Sequence, residues 1–127
     1  MNTVDTWHQI VASKNIGRLD EILGDNVVFY SPVVHTPQVG KVITKQYLTA
    51  AFFVFFNETF KYINEVTNEN SANLEFTVEI DGILVNGVDM IFWDTNGKIT
   101  KFKVMIRPLK AINLIHQKMA AMLKAGS

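Results

Sequence analysis

Apolar and polar residues alternate strictly along residues 73–80, a pattern that leaves few folds open to this 127-residue chain. Successive side chains of a β-strand point to opposite faces, so the pattern predicts a strand with one buried and one solvated face. The apolar members are Leu74, Phe76, Val78 and Ile80. Asp81-Gly82 follows at once and favours the type I′ turn of a β-hairpin. We therefore expect an antiparallel sheet that needs a cover on one face.

Three more strands are expected beside this one. The segments Ile83–Trp93 and 98–107 flank the dipeptide Asn96-Gly97, whose chemistry again predicts a type I′ turn. A further strand over 61–68 precedes the alternating segment. Together these segments predict a curled meander of four antiparallel strands.

Apolar residues at helical spacing predict three helices in the first half of the chain. Residues 4–11 form the first helix, and residues 19–23 form a short second helix after Gly17. Residues 43–56 form a longer helix with a broad apolar face. Because short apolar runs are ambiguous, an aggregation-prone strand over 50–56 is the alternative interpretation.

The remaining segments complete an α+β fold. A β-favouring run over 27–30 is stopped by Pro32, and residues 31–40 are expected to be an irregular loop. After Pro108, apolar residues at helical spacing predict an amphipathic C-terminal helix over 109–124. Helices thus come first, and an antiparallel sheet follows.

The composition limits the classes of partner. Twelve Lys plus Arg balance twelve Asp plus Glu, so no positive field gathers phosphates, and a nucleic acid is not expected as a partner. The chain has no cysteine, which excludes disulfides and thiolate chemistry. Its longest wholly apolar run, 50–56, is far shorter than the roughly 20 residues of a membrane span. We expect a soluble cytoplasmic protein with no membrane partner and a single domain over 1–127.

Two segments resemble a known family. Residues 88–100, Val-Asp-Met-Ile-Phe-Trp-Asp-Thr-Asn-Gly-Lys-Ile-Thr, resemble a hairpin of SnoaL-like and ketosteroid-isomerase-like proteins in the nuclear transport factor 2-like superfamily. Residues 31–40, with two prolines and a glycine, resemble the loop after the first strand of those proteins, and residues 18–23 fit their second helix. The resemblance covers about residues 4–107.

The resemblance implies a cystatin-like α+β roll. In such a fold a cone-shaped, curved antiparallel sheet wraps around helices and encloses an apolar cavity. The helix at 109–124 would be an addition to a core of about 4–107, and it would cover the cavity mouth or a neighbouring subunit. A homodimer through the convex face of the sheet is also implied. The residues expected on that face are Lys101, Lys103, Met105 and Arg107.

Asp89 is the first candidate catalytic residue. Its carboxyl lies within an otherwise apolar strand, on the face it shares with Val85, Ile91 and Trp93, and burial there would raise its pKa. By resemblance it lies where ketosteroid isomerases keep a protonated aspartic acid that donates a hydrogen bond to a developing oxyanion. A structural role, such as accepting a hydrogen bond from Trp7, is the alternative.

The sequence also departs from the isomerases. Their general base directly precedes the first loop proline, and that position is Ser31 here, which cannot abstract a carbon-bound proton at neutral pH. Their oxyanion tyrosine would fall near Ile10, which has no donor. Steroid isomerisation is therefore not expected. The arginine-bridged aspartate pair of limonene-epoxide hydrolases is not evident either, because the chain has only Arg18 and Arg107.

His35 is the second candidate catalytic residue. Its loop lines the cavity mouth in the related folds, and the pKa of imidazole suits proton transfer near neutrality. His35 and Asp89 would form a minimal acid/base couple, whereas simple exposure of His35 is the alternative. His8 and His116 are weaker candidates. Neither has Asp or Glu at metal-ligand spacing, so no metal and no cofactor are expected.

Aromatic residues with a polar group indicate a ligand site, because they combine an apolar surface with an orienting hydrogen bond. The expected ligand-binding residues are Tyr30, Tyr47, Trp93, Trp7 and Phe102. Packing within the core is the alternative for each.

Two functions therefore remain open. The first is binding of a small apolar or aromatic molecule in the cavity, with isomerase- or hydrolase-type acid/base chemistry as its catalytic form. The second is a non-catalytic, dimeric binding or assembly module whose cavity is filled by side chains. The missing base at Ser31 favours the second.

Overall fold

The structure, a computed structural model, describes residues 2–125. Its elements in chain order are α1 (Thr3–Ser13), a 3₁₀ turn (Ile16–Arg18), α2 (Leu19–Ile22), β1 (Leu23–Tyr30), β2 (Gln38–Val39), α3 (Lys41–Phe55), β3 (Lys61–Thr67), β4 (Ser71–Ile80), β5 (Ile83–Trp93), β6 (Ile99–Arg107) and α4 (Leu109–Ala125). The predicted helices and strands are confirmed, with ends that differ by a few residues.

Six strands form one curved sheet that does not close on itself, in the order β2-β1-β6-β5-β4-β3. Strands β3 to β6 form the predicted antiparallel meander, since each pairs with the next along the chain. Strand β1 runs parallel to β6, with Tyr30 beside Lys103 at the end of the pairing. The predicted α+β class, with a curved sheet around helices, is confirmed.

The loop predicted for residues 31–40 contains a short strand. Gln38 and Val39 pair antiparallel with Phe29 and Val28. The strand has only two residues and directly follows Pro37, so no alternating pattern reveals it. It lies at the edge of the sheet, where a neighbouring proline costs no ladder bond. The prediction of an irregular segment is wrong at these two positions.

The two tight turns differ from each other. Asp81 (φ 51°) and Gly82 (φ 78°) both adopt left-handed conformations, which confirms the type I′ turn. In the second turn only Gly97 has a positive φ, 79°, and its N–H donates to the carbonyl of Asp94 at 2.9 Å. The Asp94 carboxylate also accepts from the N–H groups of Asn96 and Lys98, at 2.9 and 3.0 Å. The type I′ prediction is wrong here because Asp94 organises a longer loop.

Helix α3 packs against both the sheet and α4, and it confirms the helical interpretation of the apolar run at 50–56. Leu48 and Phe52 belong to a core cluster with α1, α2, β1 and β6. Ala50 and Val54 belong to a second cluster beneath α4. Because α3 is covered on two sides, its sequence is apolar around most of its circumference.

The C-terminal helix packs on its own chain. Ala111, Ile115 and Met119, one stripe of α4, are buried in the second cluster against α3 and the neighbouring strands. Burial of such a stripe is the usual source of stability for an amphipathic helix. Among residues 2–125, no helix has both the length and the apolar character needed to span a membrane.

Candidate active site

Asp89 lies in the middle of β5, between Leu74 of β4 and Val104 of β6. Its neighbours Gly87 and Ile91 along the strand are buried, so its side chain points to the concave, covered face of the sheet. Only 6% of Asp89 is exposed. A carboxyl at such a position needs a hydrogen-bond partner, because an unpaired buried charge is costly.

A chain of three side chains supplies that partner. Trp7 Nε1 donates to Tyr62 Oη at 3.0 Å, and Tyr62 Oη donates to Asp89 Oδ2 at 2.6 Å. The indole N–H is only a donor, so it fixes the Tyr62 hydroxyl as acceptor on one side and leaves its hydrogen for the carboxyl. The structural role considered for Asp89 was to accept a hydrogen bond directly from Trp7. In the structure the Tyr62 hydroxyl lies between the indole and the carboxyl.

The surroundings shift the pKa values of both acidic groups. Burial raises the pKa of Asp89 to about 7, and the hydrogen bond from Tyr62 acts in the opposite direction. Burial also raises the pKa of the Tyr62 hydroxyl well above its usual 10, and the nearby charge of Asp89 adds to this effect. Asp89 is therefore the group poised to exchange a proton near neutral pH, whereas Tyr62 keeps its proton.

A small cavity adjoins Asp89. Its lining residues are Trp7, Phe29, Leu48, Ala51, Phe52, Phe55, Phe56, Phe60, Phe76, Asp89, Phe102 and Val104. Asp89 is the one ionisable group among them. The volume open to the centre of a water molecule is about 30 Å³, enough for roughly one or two waters, whereas a cavity that binds benzene measures ~150 Å³. An organic ligand would thus need side chains to move.

The second carboxylate oxygen of Asp89 remains available. Among residues 2–125, Oδ1 has no hydrogen-bond partner, because the one bond of the carboxyl is made by Oδ2. Oδ1 is also not fully buried, because in that range Thr44 Oγ1 is the one side-chain polar atom that is both fully buried and without a hydrogen-bond partner. Asp89 Oδ1 is therefore open to the cavity that the residue lines.

The predicted ligand-binding residues separate into two groups. Trp7 and Phe102 line the cavity beside Asp89, with ring centroids 5.0 Å apart. Tyr47 packs on Phe29 behind the cavity wall. Tyr30 lies by Lys103, whose Nζ is 5.1 Å from the ring centroid, and Trp93 donates to the carbonyl of Glu69 at 3.1 Å. Tyr30, Tyr47 and Trp93 are not part of the cavity lining.

The structure does not bring His35 to Asp89. His35 is exposed and lines a separate surface pocket of about 660 Å³ with Ser31 and Lys103. The Ser31 hydroxyl is engaged locally, accepting from the N–H of Val33 at 3.2 Å. The sequence could not give the distance between the two predicted catalytic residues. In the structure they line different pockets, so they do not form the predicted acid/base couple.

Tyr62 is the residue that sequence reasoning missed as a partner of Asp89. It lies opposite Phe76 in the β3–β4 pairing, on the face that turns toward the core. By resemblance this tyrosine was expected in the first helix, where the chain has Ile10, whereas the hydroxyl comes from β3. Tyr62 is half-buried, whereas the other six residues of β3 are exposed, and the sequence alone carried no signal of this difference.

His8, a weaker candidate in the sequence, contacts Tyr62, the partner of Asp89. His8 Nε2 lies 2.6 Å from Glu65 Oε1, and its ring packs edge-on against Tyr62 with centroids 5.3 Å apart. Within the described part of the chain, no group of three or more His, Cys, Asp or Glu side chains could hold a metal ion.

Comparison with known proteins bears on this site. No protein-family model and no curated protein sequence matches the chain. A steroid delta-isomerase from Pseudomonas aeruginosa superposes with a TM-score of 0.91 at 30% identity, covering 97% of this chain and 90% of that one. An uncharacterized cystatin-like protein from Silicibacter pomeroyi DSS-3 gives 0.86 at 25% identity, covering 94% and 83%. The epoxide hydrolase/cyclase-like enzyme SalBIII, with a role in pyran ring formation in the polyether salinomycin, gives 0.66 at 17% identity, covering 83% and 88%.

An open, curved sheet wrapped around one long helix, with a carboxyl on its concave face, defines a cystatin-like α+β roll. The chain belongs to the SnoaL-like, ketosteroid-isomerase-like proteins of the nuclear transport factor 2-like superfamily. This confirms the resemblance found in the sequence. Solved structures of the fold include a steroid delta-isomerase and an epoxide hydrolase/cyclase-like enzyme.

Proposed function

We propose that this protein binds a small apolar or aromatic molecule in the Asp89 cavity and exchanges a proton with an oxygen of that molecule. The chemistry is of the isomerase or hydration type. One observation carries the proposal: a buried carboxyl, hydrogen-bonded on one oxygen by a half-buried tyrosine, lines an apolar cavity with its other oxygen open.

The titration of Asp89 suits this role. With a pKa of about 7, the carboxyl is present in both protonation states at neutral pH. Tyr62 occupies Oδ2, so the neutral acid carries its proton on Oδ1 and donates it to a carbonyl or ether oxygen of the ligand. The resulting carboxylate then takes a proton back on Oδ1 from the ligand or from water. The apolar lining strengthens both interactions because it excludes water.

Steroid isomerisation by a separate base and oxyanion donor is not the reaction that we propose. By resemblance Ser31 stands at the position of the base, and a neutral hydroxyl cannot abstract a carbon-bound proton at neutral pH. Asp89 would act as both donor and acceptor within a single residue. The activity named for the Pseudomonas aeruginosa relative therefore does not transfer with the fold.

Binding of phenol, followed by NMR shifts, tests the proposal. Wild-type protein should bind it saturably, and Asp89→Asn should weaken binding and abolish its dependence on pH between 5 and 9. Tyr62→Phe should also weaken binding. Tyr47→Phe is the matched control, because it removes a hydroxyl from a ring outside the cavity lining. Equal affinity and equal pH dependence in wild type and Asp89→Asn would refute the proposal.

The small volume of the cavity supports a second candidate, a non-catalytic dimeric module. Basic side chains of β6 and acidic side chains of β4 lie on the outer sheet face, on either side of apolar residues of β5. The residues concerned are Lys101, Lys103, Arg107, Glu75, Glu79, Val88 and Met90. A two-fold pairing about β5 would place β6 of one subunit against β4 of the other, so this face is complementary to itself.

Sedimentation analysis tests the dimer. Met105, which is 52% exposed on the outer face, is replaced by Asp, and Phe53, 68% exposed on α3, is replaced by Asp as the control. Wild type and Phe53→Asp should sediment as dimers, and Met105→Asp should shift toward monomer. A wild-type monomer at all concentrations would exclude this second function.

A further inference from the structure

The ring of Phe60 lies within a cage of other aromatic rings. It stacks on Phe76 with centroids 5.2 Å apart and an interplanar angle of 27°. Its edges meet Tyr62 at 5.0 Å and Phe56 at 4.5 Å, both nearly perpendicular. These distances and angles lie within the favourable range for aromatic pairs. The cage is therefore shaped to hold one flat ring, and Phe60 fills it.

This cage lies between Asp89 and solvent. Of the residues that line the Asp89 cavity, four are half-buried and border the surface: Ala51, Phe56, Phe60 and Val104. Phe60 is the one of these four that contacts Tyr62 ring to ring. Movement of its ring would join the cavity to the space that the ring vacates, directly beside the Tyr62–Asp89 hydrogen bond.

The backbone near Phe60 is anchored, so the ring rather than the loop is the movable part. Asn57 Nδ2 donates to the carbonyl of Glu79 at 2.9 Å. The N–H of Glu79 donates to Thr59 Oγ1, also at 2.9 Å, and Asn57 Oδ1 accepts from the N–H of Thr59 at 2.7 Å. These bonds tie residues 57–59 to β4. Rotation about the Phe60 side-chain bonds leaves them intact.

We propose that Phe60 occupies the place of the ligand, and that the ligand of this cavity is a flat molecule that inserts a single ring against Phe76, Phe56 and Tyr62 after the Phe60 ring swings out. The inference rests on the proposed function, namely that the Asp89 cavity binds a ligand. The size limit follows from the volumes. The existing 30 Å³ plus the space of one phenyl ring approaches the ~150 Å³ that accommodates benzene. A fused polycyclic skeleton would exceed it.

Removal of the Phe60 ring tests the cage. Benzene and phenol are titrated, with uptake followed by NMR shifts, into wild type, Phe60→Ala and Phe60→Trp. In the wild type the open cage is a minor state, so the apparent affinity of the wild-type protein is lowered in proportion to the fraction of molecules that are open. Phe60→Ala should therefore bind both probes at least about tenfold more tightly. Phe60→Trp should bind them more weakly than wild type. Phe53→Ala, which removes an exposed ring from α3, should match wild type.

The outcomes separate the cage from the proposed chemistry. No gain in uptake by Phe60→Ala would overturn the cage. Tighter binding of both probes would support it, and a further preference for phenol over benzene that disappears in Phe60→Ala/Asp89→Asn would support the role of Asp89. Tight binding without that preference would leave the cage standing and refute the proposed function. If Phe60→Ala does not fold, Phe60→Leu should give the same order of affinities.

Discussion

Tyr62 Oη donates to Asp89 Oδ2 at 2.6 Å, and this bond joins an edge strand to the central β5 strand across the concave face of the sheet. Trp7 fixes the direction of the bond, because its N–H can only donate to the tyrosine. The bond leaves the other carboxylate oxygen of Asp89 open to the cavity. Stability, titration and binding are therefore linked through one pair of residues.

Stability should fall with rising pH because of Asp89. Burial raises the pKa of the Asp89 carboxyl in the folded protein to about 7, whereas the usual value for Asp in an unfolded chain is about 3.9. Between these two pH values the folded state holds one more proton than the unfolded state. The contribution to stability is full below pH 4 and is lost as pH rises through 7. At about 1.4 kcal/mol per pH unit, a shift of about three units corresponds to a loss of about 4 kcal/mol. Asp89→Asn keeps an acceptor for the Tyr62 hydroxyl but carries no charge, so this variant should lack the pH-dependent loss of stability.

Urea unfolding of wild type and Asp89→Asn from pH 4 to pH 8 measures this effect. The difference between the two proteins cancels the titration of the other carboxylates. The variant should become the more stable protein as pH approaches 8. A difference that stays constant across this range would show that the carboxyl of Asp89 titrates normally.

Tyr62→Phe should raise the pKa of Asp89 further. The tyrosine hydrogen bond favours the ionised carboxylate, so its loss removes the one interaction that opposes burial. A hydrogen bond to a charged group is worth about 1.5–3 kcal/mol, or roughly one to two pH units. Tyr47→Phe is the control and should leave the midpoint unchanged. Carboxyl-resolved NMR titration of both variants measures the shift.

Gly87→Ala should destabilise the sheet directly beside Asp89. A Cβ at this position would lie 2.5 Å from Phe76 Cζ and 2.7 Å from the carbonyl oxygen of Met105. Because the second atom belongs to the backbone, the clash cannot be relieved by a rotamer change, and we expect a loss of about 2–3 kcal/mol. Gly17→Ala, where the nearest atom is a side-chain oxygen at 3.3 Å, should change stability by less than about 0.5 kcal/mol. Equal thermal midpoints for the two variants would contradict this.

Trp7→Phe should weaken both the core and the site. Trp7 is 1% exposed, packs edge-on against Phe52 and Phe102, and orients Tyr62. Loss of the indole leaves a cavity and removes a hydrogen bond, for a cost of about 2–4 kcal/mol. Chemical unfolding measures this cost. Retention of wild-type stability would show that the Tyr62 hydroxyl finds another donor.

The fold was readable from periodicity, whereas the site was readable only in part. Alternation at 74–80 and helical spacing at 43–56 depend on neighbours in sequence, so they predicted β4 and α3 correctly. Asp89 could be recognised because a charge interrupts an apolar strand. Its partnership with Tyr62 depends on how β3 reaches β5 across β4, and nothing local encodes that distance. For the same reason the couple with His35 was predicted but not found.

The titration midpoint of the Asp89 carboxyl can be measured by carbon-13 NMR, with Asp89→Asn used to assign its signal. We expect a midpoint near 7 that moves when phenol is added to the wild-type protein. A midpoint near 4, unchanged by phenol, would show that Asp89 is an ordinary carboxylate and would contradict both the proposed chemistry and its physical basis.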